Sequence, residues 1–447
     1  MAHSSSEPTW QAEFTRWLRP FLAVLQREAQ RRWAPVYLEG LLGPGERKSV
    51  APMAARVAPA DVQQLHHFVA TSPWATAPLE RVLARTAQRL VGGAHAVLII
   101  DDTTLPKQGR HSVGVVRQYC GVLGKTANCQ TLISLTLARG EVPLPLALRL
   151  YLPREWSEDR DRCRRAGVPP EIPFQSKAGL ALAELDRVRA AGVTFGTVLA
   201  DAGYGMSAAF RQALSARQLT WAVGVLRTQK VYPATVRLRP PRAGPTGRPP
   251  THSVPSAPSV PAAAMIAALG RRAFRRVLWR GGTKGPLAAE FAAVRVRVAD
   301  GPLRARAQHQ PGAPAWLVCE RRASGEQKSY LTNHPARTSL LTLARAIKAR
   351  WVCEQGHQQM KEELGLDHYE GRSWRGLHHH ALLSMIAFAF LQHWRLTHLA
   401  RGKKIAALAR PAAAAHPPRR AAPAAPHHPR PARPMSTLPS PARATAA

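Results

Sequence analysis

From Trp10 to Arg27, Ala60 to Val69 and Pro78 to Val91, apolar residues recur every three or four positions, the period of a helix with one buried face. The turn Gly43-Pro-Gly45-Glu-Arg-Lys-Ser49 separates the first of these from the second, which starts after Pro59. Residues 1–92 therefore read as helical. From His95 the period changes. Ala96–Ile100 is a short buried strand, and Thr131–Ala138 and Pro145–Leu152 flank the turn Arg139-Gly140-Glu141 as a hairpin. A helix over Ser176–Ala191, a strand over Phe195–Ala200, a helix over Ser207–Leu214 and a strand over Thr220–Leu226 follow. This alternation predicts an α/β fold with a mixed sheet.

Residues 228–262 break the pattern with a Pro-, Arg- and Ser-rich stretch that reads as a loop or a partly disordered segment. Strand-like runs return at Phe291–Val298, Trp316–Glu320 and Lys328–Leu331, and the last predicted helices are Ser339–Glu363 and Leu377–Leu399. Beyond Arg401 the Ala/Pro/Arg/His composition has no period and too little apolar surface to form a core, which predicts a disordered basic tail over 401–447. The longest apolar run, Ala381–Leu391, is too short to span a bilayer. The first residues lack the basic-then-apolar order of a secretory signal. The expectation is a soluble intracellular protein.

Charge narrows the class of partner. Lys+Arg number 63 against 27 Asp+Glu, a net charge of +36 across 447 residues. Such an excess calls for a polyanion, nucleic acid ahead of a membrane surface. It is concentrated: between Asp201 and Glu290 there are 14 Lys+Arg and no acid, and from Arg401 onward 9 Lys+Arg and no acid. The five cysteines form no CxxC pair, which argues against a zinc finger or a disulfide framework.

Against this basic background a few acids stand out. Asp101-Asp102 closes one apolar run and Asp201 closes another, followed by Ala-Gly203-Tyr204-Gly205, a tight turn that lets a phosphate approach the backbone. In the predicted helix Arg350-Trp-Val-Cys-Glu354-Gln-Gly-His-Gln-Gln-Met-Lys361, a turn of 100° per residue puts Arg350, Glu354 and Lys361 within about 40° of one another. Strand-end aspartates and a facing helix glutamate are the donor set of a two-metal phosphoryl-transfer site, with hard oxygen ligands that suit Mg²⁺ or Mn²⁺ over zinc. Adjacent acids on a strand point to opposite faces, so one of Asp101 and Asp102 faces such metals. Cys353 has no base beside it in the sequence and does not read as a nucleophile. His378-His379-His380 lack a partner at zinc spacing and read as solvated helix residues.

These residues carry a resemblance. Arg350, Glu354 and Lys361, with Trp351, match the Tyr–x2–Arg–x3–Glu–x6–Lys signature of DDE transposases of the insertion sequence 4 superfamily, although Ile347 stands at the tyrosine position. Asp101-Asp-Thr-Thr-Leu-Pro-Lys107 with Gly109–Gly124, Gly45–Ser49 and Gln63–Trp74 are similar to the insertion sequence 701 family. The resemblance covers about residues 15–395. It implies an RNase H-like core interrupted by a β-rich insertion, with an N-terminal helical domain. The corresponding domains are a helical DNA-binding domain at 1–92, the first part of the core at 93–227, a basic loop and insertion at 228–337, and helices completing the core at 338–400.

The resemblance also implies a metal-binding catalytic triad of Asp102, Asp201 and Glu354, with Asp101 as the alternative to Asp102, and two Mg²⁺ or Mn²⁺ ions. Arg350 and Lys361 would contact DNA phosphates; Lys107 and Arg117 are further candidates, and Trp279 is the candidate for stacking on a flipped base. The implied activity is binding of terminal inverted repeats, cleavage of the DNA ends and joining of the freed 3′-OH to target DNA, with a homodimer pairing two ends. A nuclease of the same fold without strand transfer, or an inactive DNA-binding relic, are the alternatives.

Overall fold

The computed structural model describes residues 10–240, 253–282, 285–302 and 309–399; the expected tail over 401–447 lies outside the described residues. Helices α1 (Trp10–Leu22), α2 (Glu28–Leu42), α3 (Val50–Val57), α4 (Val62–Ala70) and α5 (Thr76–Val91) come first. Next are β1 (Gly93–Pro106), β2 (Val116–Cys120), β3 (Lys125–Arg139) and β4 (Val142–Leu150), then α6 (Arg154–Ser157), α7 (Arg160–Arg165) and α8 (Lys177–Ala190). The chain continues through β5 (Phe195–Ala200), α9 (Ala202–Gly205), α10 (Ala208–Ala216) and β6 (Trp221–Val225). Serine caps set several helix starts: the Ser176 and Ser207 hydroxyls accept from the Gly179 and Phe210 backbone N–H groups and so begin α8 and α10.

The stretch 228–262, expected as a loop or partly disordered, contains β7 (Lys230–Pro233), β8 (Leu238–Arg239), β9 (Val254–Pro255), β10 (Val260–Pro261) and the start of α11 (Ala262–Ala267) among its described residues. Then come β11 (Arg275–Gly282), β12 (Gly285–Val298), β13 (Pro314–Arg321) and β14 (Gln327–Thr332). Helices α12 (Leu340–Lys348), α13 (Trp351–Glu362) and α14 (Trp374–Leu399) follow. The single helix expected over Ser339–Glu363 is thus two, with the Ala349 N–H shared between the Arg345 and Ala346 carbonyls where α12 tightens and stops.

A large mixed sheet organises these elements. Along it run β10, β7, β12, β13, β14, β6, β5, β1, β3 and β2, with β11 beside β12 and β4 beside β3. β1 is antiparallel to β3 and parallel to β5, and β5 is parallel to β6. Of the strands between Asp201 and Glu354, β8 and β9 form a small sheet of their own, while the others belong to the large sheet, where β14 pairs antiparallel with β6. Alternate residues divide between two apolar clusters. Leu98, Ile100, Val198 and Ala200 join the larger core with α8, whereas Ile99 and Leu199 join Ile347, Val352 and Cys353 of α12 and α13.

The amino-terminal helices share the larger core with α14, whose residues from Leu377 to Phe390 are buried. The triple histidine on α14, expected to be solvated, is buried instead. Its rings bridge elements: His380 pairs with the Tyr37 hydroxyl (2.9 Å), and His379 with the Val69 and Trp74 carbonyl oxygens (3.0 and 2.9 Å). Helix periodicity alone did not show that every face of α14 is covered. Arg149 on β4 lies between Glu80 of α5 and Glu184 of α8 (2.7 and 2.8 Å), clamping three elements; losing one partner of such a buried group costs roughly 3–5 kcal/mol.

Candidate active site

Strand pairing positions the acids. The register of β1 against β5 runs Ile99↔Leu199 and Ile100↔Ala200, and there β5 ends. β1 does not end with it but continues to Pro106 against β3. Asp101 and Asp201 thus occupy the next position on two neighbouring strands, at the point where the sheet opens. Asp201 caps α9, its Oδ1 accepting from the Gly203 N–H (2.9 Å) and Tyr204 N–H (3.3 Å). Gly205 lets that short helix lie on β6, since a Cβ there would sit 1.9 Å from the Gly224 carbonyl oxygen.

The two adjacent aspartates go to opposite faces. Asp101 shares the face of Ile99, toward α13, and its Oδ2 accepts from Arg350 Nη1 at 2.6 Å. Arg350, the N-cap residue of α13, also donates to Glu354 one turn on. Asp102 shares the other face, where Lys177 Nζ of α8 donates to its Oδ2 (2.6 Å) and the Tyr204 hydroxyl to its Oδ1. The acid on the side of Glu354 is therefore Asp101, the residue placed second by the sequence.

Electrostatics follow the same division. Burial pushes the Asp101 carboxyl up to about 7, Arg350 pulls it down, and the Asp201 and Glu354 carboxylates add to the rise. Burial works against the Arg350 charge, but Asp101, Glu354 and Asp201 outweigh it and raise its proton affinity. Burial lowers Lys361, opposed by Asp367. Half-sequestered carboxylates that repel one another over a partly buried floor are a fit for a hard divalent cation, which relieves both the repulsion and the desolvation. Asp101, Asp201 and Glu354 would hold it.

One open cleft of about 1050 Å³ is lined by Asp101, Asp102, Asp201, Arg350, Glu354 and Lys361 together. Lys177, which sequence reasoning missed, lines it too. No spacing signal marks Lys177, because α8 reaches the site through the fold and not through a motif. Among the described residues, the cleft lining does not include Lys107, Arg117 or Trp279. The Lys107 ammonium donates to the Tyr369 carbonyl oxygen at 2.6 Å, away from the acids. Arg117 is exposed on β2. Trp279 packs edge-on against Phe291 (6.0 Å) with Lys348 over its ring (4.7 Å). Ile347, at the tyrosine position of the signature, is buried in the cluster under α12.

This sheet, with acids gathered at the end of a parallel strand pair, defines a mixed α/β protein with a carboxylate-lined cleft. The chain belongs to the DDE superfamily endonucleases, whose family model matches residues 20–286, more than half of its length. That span includes Asp101, Asp102 and Asp201. Divalent metal use is a property of this family. The chain is 31% identical over 162 residues to a probable transposase for insertion sequence element IS701 from Microchaete diplosiphon, a match spanning 36% of this chain and 40% of that protein. Among solved structures it is similar to the piggyBac transposase synaptic complex with hairpin DNA, at 10% identity and TM-score 0.42, over 89% of this chain and 74% of that one. No described helix is long and apolar enough to cross a membrane.

Proposed function

We propose that this chain is a DNA transposase that binds the terminal inverted repeats of its insertion sequence, cleaves the DNA ends and joins them to target DNA. The observation that carries the reading is the juxtaposition of Asp101 and Asp201 at the opening of the sheet, across one cleft from Glu354, Arg350 and Lys361. The strand succession β4-β3-β1-β5-β6, antiparallel then parallel, supports an RNase H-like core. The acid-free basic stretch between Asp201 and Glu290 supports DNA contact by the β-rich segment after β6. Residues 1–92 would contribute to end binding, two copies would pair two ends, and the protein would act at the nucleoid.

Asp101, Asp201 and Glu354 would hold two Mg²⁺ or Mn²⁺ ions. Bound there, the ions supply Lewis-acid activation and charge neutralisation on the scissile phosphate. The chain's own residues do the rest. Arg350 and Lys361 place cations beside that phosphate, and Arg350 orients both Asp101 and Glu354. Lys177 and Tyr204 fix Asp102 on the opposite face of β1 and hold the strand's course. No covalent enzyme intermediate is needed, because positioning and charge stabilisation suffice for phosphoryl transfer.

A strand-transfer assay with Mg²⁺ and duplexes carrying the element's ends tests this. The wild type should give joined product and Asp201→Ala should lose it by at least about a hundredfold, the scale of removing one preorganised charge-stabilising group. Equal product from both proteins overturns the site; cleavage without joining points to a nuclease instead.

A further inference from the structure

Directly behind the carboxylates is a second donor set of different chemistry. Cys353 and His357 lie one turn apart on α13 with Sγ and Nε2 at 3.6 Å, and a carboxylate oxygen of Asp101 completes a group whose ligand atoms all lie within 4.8 Å of one another. All three residues are buried, and His357 is also part of the cleft lining. Two hydroxyls back the sulfur, Thr136 Oγ1 at 3.4 Å and Ser134 Oγ at 3.9 Å, both on β3. A tetrahedral zinc ion with one thiolate at about 2.3 Å and one imidazole at about 2.0 Å holds those two atoms roughly 3.6 Å apart.

We propose that Cys353, His357 and Asp101 form a binding site for a thiophilic divalent ion, zinc in type, distinct from the hard-ion site built on the carboxylates. Sulfur and imidazole nitrogen select zinc where carboxylate oxygens select magnesium. A neutral imidazole nitrogen is a ligating atom for such an ion. The Cys353 thiol gives up its proton to solvent as the sulfur–metal bond forms, so binding releases one proton. Asp101 offers one oxygen while the other keeps Arg350, and the cleft supplies a path and room for a water as fourth ligand.

The two sites share Asp101, which gives a consequence for activity that rests on the transposase reading. Zinc on Cys353 and His357 draws Asp101 away from the hard-ion site and inhibits DNA cleavage. The opposing charge of Arg350 keeps the site selective for an ion that gains a sulfur bond.

The binding itself is tested without DNA. Metal-free protein titrated with Co²⁺ should develop a thiolate-to-cobalt charge-transfer band at one ion per chain. Cys353→Ser should abolish the band, and His357→Gln should weaken binding at least tenfold, both with an unchanged circular dichroism spectrum. Zinc-edge X-ray absorption of the wild type, which needs no variant to fold, should show one sulfur neighbour and otherwise nitrogen or oxygen. A shell with no sulfur, or a charge-transfer band that persists in Cys353→Ser, overturns the site. In the cleavage assay Cys353→Ser should keep Mg²⁺-dependent activity and resist zinc at least tenfold better than wild type. Equal zinc inhibition of both proteins overturns the inhibitory role. Failure of the wild type to cleave at all would count against the transposase reading while leaving the binding result standing.

Discussion

Two neighbouring aspartates of β1 face different surroundings, and one backbone rule separates them. Strand alternation sends Asp101 toward α13 and Asp102 toward α8. Sequence reasoning recognised that only one of the pair can face the other acids and preferred Asp102 on the family motif, whereas Asp101 is the one beside Arg350, because that depends on which side of the sheet α13 packs. Asp101→Asn should lower DNA cleavage at least about a hundredfold, whereas Asp102→Asn, which loses Lys177 and Tyr204, should cost about tenfold or less. Measuring single-turnover cleavage for both variants decides it; the reverse order would return the role to Asp102. Trp279 illustrates the same limit. Its basic neighbours in sequence marked it as a base-stacking candidate, and what the sequence could not show is that Phe291 meets its ring edge-on and Lys348 lies over it.

Among the elements, short ones with strong local signals were legible. β5 spans Phe195–Ala200 as read from its apolar run, and α8 differs from its expected bounds by a residue at each end. Helices α2 and α3 escaped notice, since Pro35 inside α2 and the shortness of α3 weaken the helical period. β11 was hidden among arginines, five of which it carries or follows closely. The triple histidine of α14 reads polar in sequence, but its environment makes it part of the core. Burial holds His378, His379 and His380 each down to about 4. The unfolded chain takes up these protons near pH 6.5 and the folded chain does not, so stability is full above that pH. It should fall progressively as pH drops from about 6.5 toward 4. Thermal unfolding followed between pH 7.5 and 5 checks this, and His379→Gln should flatten the decline; a midpoint independent of pH would contradict the buried, neutral rings.

At the scale of the whole molecule, charge was the property that sequence gave most directly, and it makes a quantitative demand. If the +36 excess serves a DNA duplex, affinity must fall steeply with salt, with a log–log slope of about −0.9 for each phosphate neutralised. A slope of about −5 or steeper is expected for end-bearing duplexes in a salt titration by fluorescence anisotropy, and Arg350→Ala should reduce its size by about one. A flat dependence would mean that the basic surface serves some other purpose. What composition did not reveal is connectivity. The β-rich insertion expected over 228–337 supplies strands that, through β14 beside β6, lengthen the same sheet that carries the acids.

The position of α14 has one more consequence, for the order of synthesis. Helices α1 to α5 leave the ribosome hundreds of residues before the helix that completes their core, with Phe14 of α1 edge-on to Phe390 and Tyr37 of α2 bonded to His380. Until α14 emerges, the faces of these helices that meet Phe390 and His380 lack their native cover. A chain halted before residue 374 therefore leaves the amino-terminal core open, so that core closes only when nearly the whole described chain has been made.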